Sequence, residues 1–314
     1  MKVNFEDVPC PVCSSKEAKE FLKGRDRLNS RSMEIFTLVK CTDCSFIYLN
    51  PRPDEKSVEH YYAQEGYDPF IVFLKPRNWM ERIYKFIRPY SIRWKRGVIE
   101  KISAPGTLLD IGCGTGEFLF EMKRAKWDVV GIEPDKRARN FSREEYGLAV
   151  YSNFDEFFRN RSMEFAIVTM WHSLEHIHRL NEVLDILGKI VKRGGFILVA
   201  VPNILSFDFF VYRESWVALD LPRHLYHFTP MTIEKLFAKY GFLLCKSRHI
   251  PLDLFYNILM SEKLVSSVDR GDSDSSFNLL RLFSTILISY AFGVNLLFKR
   301  EMISGSGMLY QFKR

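Results

Sequence analysis

The chain has 314 residues, 47% hydrophobic and 26% charged, so it can bury one large core, or one core plus a small satellite, and it does not read as a disordered polymer. Its formal charge of +7 is concentrated: residues 75–101 carry nine lysines and arginines against Glu81 and Glu100, and the rest sums to neutral. No apolar stretch follows the opening MKVNFEDVPC, so no secretory signal is expected, six thiols should stay reduced, and the predicted location is cytoplasmic.

The first feature in chain order is a pair of C-x2-C knuckles, Cys10–Cys13 and Cys41–Cys44, with 27 residues between them. Four thiolates in that arrangement suit a tetrahedral structural zinc with no position left for water, which predicts support and not catalysis. Disulfides are the alternative, disfavoured where thiols are kept reduced. The prolines of NPRP close this module, which gives a zinc-ribbon-like unit over 1–53. Residues 54–104 read as a basic helical segment broken near Pro69, Pro76 and Pro89, because proline removes a helix hydrogen bond. Trp79, Tyr84, Phe86, Tyr90 and Trp94 are interleaved with its charges. That composition suits an anionic substrate or a membrane surface, and equally a solvated amphipathic face.

From residue 107 the pattern changes to apolar strands alternating with helices. Strands are predicted at 107–111, 128–132, 148–151, 164–170 and 195–201, with helices at 116–125, 136–146 and 179–191 between them. Continuous apolar strands separated by helices require a mostly parallel sheet covered on both faces. Residues 203–228 show no clear element and read as a lid or loop. Thr229–Pro230 opens a helix that Gly241 closes, 242–250 is a sixth strand, and 308–314 a seventh, with 251–303 as a helical insertion between the two.

Gly112, Gly114 and Gly116 follow the first of these strands, where glycine permits positive φ and close approach of a ligand to the main chain. Glu133 ends the second strand, placed to accept both hydroxyls of a ribose. A dinucleotide fingerprint would put a third glycine at position 117, and Glu117 stands there, a carboxylate that opposes a diphosphate at a helix N-terminus. Asp110 adds negative charge that suits a cationic ligand.

This stretch resembles motif I of class I S-adenosylmethionine-dependent methyltransferases. Trp171-His172-Ser173-Leu174-Glu175-His176 resembles the LEH signature of that superfamily's bacterial small-molecule branch, and VPN (201–203) and PRHLYHFTP (222–230) also match its pattern. The resemblance covers 105–314 and departs at Glu164, where an aspartate usually opens the fourth strand. It implies an α/β Rossmann-like fold with a seven-stranded, mostly parallel sheet and an antiparallel last strand. It also implies that Asp110, Gly112, Gly114 and Gly116 line the methionine side of S-adenosylmethionine. Glu133 would hold the ribose, Asn153 and Phe154 would flank the adenine, and Trp171 would border the cofactor. Members of the family also carry a zinc ribbon ahead of this fold, with an exit like residues 49–53.

A hydroxyl, amine or carbon acid that takes the methyl group also loses a proton, so a base near neutrality is expected. His172, His176, His224 and His227 lie on segments that converge above the strand ends, and His172 directly follows the fourth strand. Some of these imidazoles would serve only to fix loops. His172, Glu175 and His176 also form H-x-x-E-H, which with His224 or His227 would complete a second, divalent-metal site. It resembles the E-x-x-E-H metal motif of ubiquinone O-methyltransferases and small-RNA 2′-O-methyltransferases, with His172 in place of the first glutamate.

Residues 282–298 carry no charge for 17 positions, the short limit for a membrane span. Spanning would separate two strands of one sheet, so the segment is expected to pack on the domain or to lie in a membrane interface, as a peripheral contact at the inner face. The expected activity is methyl transfer to a small molecule, saccharide or lipid-linked acceptor. An RNA methyltransferase and a non-catalytic zinc-ribbon scaffold are the alternatives; no RNA-binding motif supports the first, and the intact glycine loop opposes the second. The sequence specifies neither the acceptor atom nor the oligomeric state.

Overall fold

A computed structural model describes residues 3–29, 33–62, 79–160, 163–270, 280–287 and 305–314. The larger sheet is built from β6 (Thr107–Ile111), β7 (Asp128–Ile132), β8 (Ala149–Tyr151), β9 (Phe165–Trp171), β10 (Val191–Pro202), β12 (Leu243–His249) and β13 (Gly307–Lys313). Its order is β12-β13-β10-β9-β6-β7-β8. Strands β6 to β10 pair in parallel, while β13 runs antiparallel to both β10 and β12. The expected seven strands and the reversed last strand are therefore present. β6 and β9 lie at the centre, so the loops after them meet at one point above the sheet, where ligands of open α/β folds bind.

Helices cover both faces because the strands are apolar on both sides. One face packs α2 (Trp79–Glu100) and α3 (Glu117–Arg124), through Val98, Ile99, Phe118 and Met122. The other packs α5 (Phe154–Asn160), α6 (Leu180–Ile190) and α8 (Pro230–Ala238), through Phe157, Leu184, Leu187 and Phe237. α4 (Lys136–Tyr146) begins on the Asp135 carboxylate, which accepts from Ala138 N at 2.8 Å, and ends at Gly147 in the left-handed conformation. α8 begins on a Thr229/Thr232 capping box with Pro230 at its first position, as the sequence predicts.

Two sequence expectations are corrected. α2 runs through Pro89 instead of breaking there. Proline deletes one rung of the ladder, and the helix is held on both sides of the gap by ion pairs to α3, Arg88 to Glu117 and Arg96 to Glu121. Residues 203–228 are not open loop: they hold α7 (Phe207–Tyr212), two 3-10 turns and β11 (Tyr226–His227), and nearly all of 216–228 is buried.

β1 (Phe5–Glu6) pairs antiparallel with β5 (Arg52–Pro53), just ahead of the short α1 (Glu59–Tyr62), and β2 (Ala18–Gly24), β3 (Phe36–Cys41) and β4 (Ile47–Leu49) form an antiparallel meander, to which β11 adds as a fourth strand. The cysteine-bearing meander thus shares a sheet with the segment that follows β10. Phe46 lies 5.5 Å from Phe228 and 6.0 Å from Tyr226 between ring centroids, and all three are buried. At about 1.5–3 kcal/mol per large side chain buried, such a seam is a main source of cohesion between the two parts. α9 (Pro251–Arg270) occupies the start of the insertion. Among the described residues no helix is long and apolar enough to cross a membrane. Of the uncharged stretch 282–298, residues 288–298 lie outside the described residues, as do Lys75 and Arg77 of the basic segment.

Candidate donor and acceptor sites

The turn after β6 has the backbone that its glycines predict: φ is +73° at Gly112, +54° at Gly114 and +81° at Gly116. A Cβ on Gly112 would lie 2.5 Å from Ser173 Cβ, so the loop after β9 closes against this turn. Asp110, 3% exposed, accepts a 2.6 Å hydrogen bond from the Thr169 hydroxyl on β9. Burial pushes its carboxyl up to about 7, against the pull of Thr169 and Lys95. Glu133 Oε2 accepts from Gly114 N at 2.8 Å and Oε1 from Asp135 N at 2.9 Å, which fixes the carboxylate beside the glycine loop. Asn153 is used locally, its side-chain oxygen accepting from Glu156 N at 2.8 Å at the start of α5, and Phe154 is buried with its ring near Phe158.

Two groups on α2 join this site without having been expected. Lys95 Nζ lies 4.7 Å from the centroid of Trp171, at the end of β9, and burial lowers its pKa to about 8 despite Asp110 nearby. Trp171 is 8% exposed, and its indole N–H is buried with no hydrogen-bond partner among the described residues. Arg88 pairs with Glu117 and reaches the Thr115 hydroxyl. Glu117 is therefore not the bare charge that the sequence suggests; its opposition to a diphosphate is offset by Arg88. Lys95 had a signal in the sequence, since it shares a helical stripe with Val98, Ile99 and Ile102 (spacings of three, four and seven), so a lysine sits on the buried face.

The four histidines do gather above β9 and β10, in unequal roles. His172 has φ +54°, and both of its ring nitrogens face carboxylates: Nε2 is 3.0 Å from Asp253 of α9 and Nδ1 is 3.6 Å from Glu175. Crowding by neighbouring atoms opposes a charge there, although 38% of the side chain stays exposed, and Asp253 and Glu175 outweigh it and raise the pKa to about 10. Asp253, in the insertion, carried no sequence signal. His176 and His224 lie 4.6 Å apart between ring centroids. His176 Nδ1 is 3.1 Å from the Arg223 carbonyl, with the Tyr62 hydroxyl also at 2.9 Å, and His224 Nδ1 is 2.8 Å from the Ala218 carbonyl. A carbonyl only accepts, so Nδ1 is the donor in each ring, and in a neutral ring Nε2 then carries the lone pair. Burial, with His224 adjacent, lowers the pKa of His176 to about 4, and burial lowers that of His227 to about 3.

Glu175 lies among these rings with no exposed surface, and neither of its carboxylate oxygens makes a hydrogen bond among the described residues. Glu175, His176 and His224 each offer one ligand atom, all within 4.8 Å of one another. The metal grouping differs from the expected one: His172 is engaged by Asp253, and His227 stands outside the three. At the N-terminus, Cys10, Cys13, Cys41 and Cys44 form a second such group, with Sγ atoms 3.4 Å apart for Cys10–Cys44 and 3.5 Å for Cys13–Cys41. These separations exceed an S–S bond of about 2.05 Å and approach the edge of about 3.8 Å in a tetrahedron with 2.3 Å metal–sulfur bonds. Ser14 and Ser45, each just past a knuckle, adopt positive φ and donate their N–H to Cys10 O and Cys41 O, which curls both knuckles around one point.

A family model described as "Methyltransferase domain" matches residues 80–246, more than half of the chain. The chain belongs to this methyltransferase family. Its fold is the class I, S-adenosylmethionine-dependent one, with a four-cysteine cluster added at the N-terminus. A ubiquinone biosynthesis O-methyltransferase of Bordetella avium is 29% identical over 145 residues, 44% of this chain and 60% of that protein. One from Maricaulis maris is 25% identical over 234 residues, 68% of this chain and 87% of that protein. The chain thus spans about 60% of the length of the first relative. Among solved structures, magnesium protoporphyrin IX methyltransferase from Synechocystis PCC 6803 with bound SAH aligns over 83% of this chain and all of that one, with a TM-score of 0.52 at 11% identity, a likeness of fold alone.

Proposed function

We propose that this methyltransferase moves a methyl group from S-adenosylmethionine to an oxygen of a small-molecule, saccharide or lipid-linked acceptor, at a site that also holds a divalent cation. The relatives named above are O-methyltransferases, which supports oxygen as the acceptor atom. On the donor side, Asp110 faces the sulfonium and Glu133 takes the ribose hydroxyls, with the adenine beside Asn153 and Phe154. Lys95 and the indole N–H of Trp171, which has no hydrogen-bond partner among the described residues, hold the carboxylate of the methionine moiety. Such placement converts an in-line displacement into an intramolecular event, which is the main resource available to a methyltransferase.

One observation carries the acceptor side: Glu175 is a fully buried carboxylate with no hydrogen bond to either oxygen among the described residues, its neighbours being His172 Nδ1 at 3.6 Å and the His176 and His224 rings. A buried carboxylate without hydrogen bonds is costly, so the donor set fits a cation, in the two-histidine, one-carboxylate class. The hydrogen bonds from Nδ1 to the Arg223 and Ala218 carbonyls are the outer support that metal-binding imidazoles need. A divalent ion bound there would lower the pKa of an acceptor hydroxyl. His172, kept protonated by Asp253 and Glu175, then serves to tie α9 to the site and not to remove the proton. The cysteine cluster holds a structural zinc.

Mass spectrometry of metabolite extracts incubated with isotopically labelled methyl donor tests the activity. Calorimetric titration of the zinc-loaded protein with Mn²⁺ tests the second cation, expected to bind once per chain and to be lost in Glu175→Gln. Absence of Mn²⁺ binding by the unaltered protein refutes the cation site.

A further inference from the structure

We infer that the cysteine module is a positioning wall of the acceptor site, acting through Asp26 and Arg223 on the placement of His176 and His224. This rests on the reading of Glu175, His176 and His224 as a cation and acceptor site, and adds what sets their spacing.

Arg223 is a fully buried guanidinium that joins three parts of the chain. It donates to both oxygens of Asp26, in the loop after β2, at 2.7 and 3.2 Å, and to the Asp220 carboxylate at 2.7 and 3.0 Å. It also donates to the carbonyl of Tyr61 at 3.1 Å, one residue before the tyrosine whose hydroxyl meets His176. The Arg223 carbonyl fixes His176, and the next residue is His224. A charge in this position has no solvent to fall back on, so its partners dictate where the backbone of 220–224 runs.

Other contacts along the same seam agree. Arg27 pairs with Asp220 at 2.6 Å. Leu49 N donates to Leu225 O, β4 pairs with β11, and Arg52 donates to the Tyr226 hydroxyl at 2.8 Å. Phe21 stacks on Phe209 of α7, and a Cβ on Gly24 would lie 2.8 Å from Leu221. The donor site, by contrast, is built from β6, β7, β9, α2 and the start of α5, and among the described residues none of the hydrogen bonds or ion pairs named above joins it to the module. The module therefore shapes the acceptor half and leaves the donor half to itself.

The test uses the zinc-loaded full chain and two variants, Asp26→Asn and the milder Tyr226→Phe, which removes one hydroxyl and keeps the ring. Amide hydrogen exchange is read by peptide, with S-adenosylmethionine affinity and Mn²⁺ affinity by calorimetry. Asp26→Asn should exchange about tenfold faster over 174–178 and 217–228, the scale of losing a charge-assisted hydrogen bond, with a smaller rise in Tyr226→Phe. Exchange over 107–133 and donor affinity should not change, while Mn²⁺ affinity should fall about tenfold in Asp26→Asn. Unchanged exchange over 217–228 in both folded variants, or an equal rise over 107–133, overturns the inference. Failure of the unaltered chain to bind Mn²⁺, with exchange behaving as expected, overturns the cation reading and leaves the positioning role standing.

Discussion

Donor binding should depend on pH, and Asp110 should be the reason. With its carboxyl pushed up to about 7 by burial, about half of the donor-free molecules hold it protonated at pH 7. A sulfonium beside it favours the ionised form, and an opposite charge in contact lowers a carboxyl pKa by about 1–3 units. With a fall of about 1.5 units, Asp110 releases about half a proton on binding at pH 7, and this group alone raises the donor Kd about eightfold from pH 8 to pH 6. The sign for folding is opposite. The folded chain keeps this proton between pH ~4, the ordinary carboxyl range, and about 7. Its contribution to the stability of the donor-free protein is therefore fully present below pH ~4 and lost as pH rises through about 7, on the order of a few kcal/mol. Calorimetry in buffers of different ionisation enthalpy reads the proton release directly. Asp110→Asn should abolish the release and flatten the pH profile while weakening binding. A donor Kd that is flat from pH 6 to 8, or a release that survives in Asp110→Asn, refutes the placement of the sulfonium at Asp110.

Gly112→Ala should remove detectable donor binding and destabilise the fold by about 1–3 kcal/mol, since φ is +73° and the new methyl group would meet Ser173; a chemical-denaturation curve coincident with the unaltered protein would contradict this. Lys95→Met should raise the donor Kd about tenfold and leave adenosine affinity unchanged, because only the amino-acid carboxylate loses its partner; an equal loss for adenosine would place Lys95 elsewhere. Metal analysis should find one zinc per chain, and Cys44→Ser should lose that zinc and lower the melting temperature by several degrees. Full zinc content in Cys44→Ser would exclude the four-cysteine site.

The sheet was legible because its information is local. A parallel strand buried on both faces is a short apolar run, and five such runs between helices leave few alternatives. The glycine loop was legible for the same reason, since positive φ at three positions in five residues restricts the choice of residue. The knuckles were legible as a spacing. α2 was misread because proline is a local signal, while the ion pairs of Arg88 and Arg96 that hold the helix together across Pro89 come from α3.

The acceptor residues Glu175, His176 and His224 were legible as a motif, while their supports were hidden because those pairs join residues far apart in the chain. Arg223 and Asp26 are 197 positions apart, and β11, two residues long, has no periodicity to detect until β4 offers it an edge. The composition of 203–228 looked like loop since its polar residues face inward, where only partners from another part of the molecule make them tolerable. His172 shows the consequence for function. Its place after β9 made it the natural base, and that would hold if it faced solvent and acceptor alone. Asp253, brought in by α9 from 81 positions further along, lies 3.0 Å from its Nε2 and raises its pKa, which favours the charged ring and ties it to the insertion. A site residue can be located from a strand end, but its chemical role depends on what the rest of the chain packs against it.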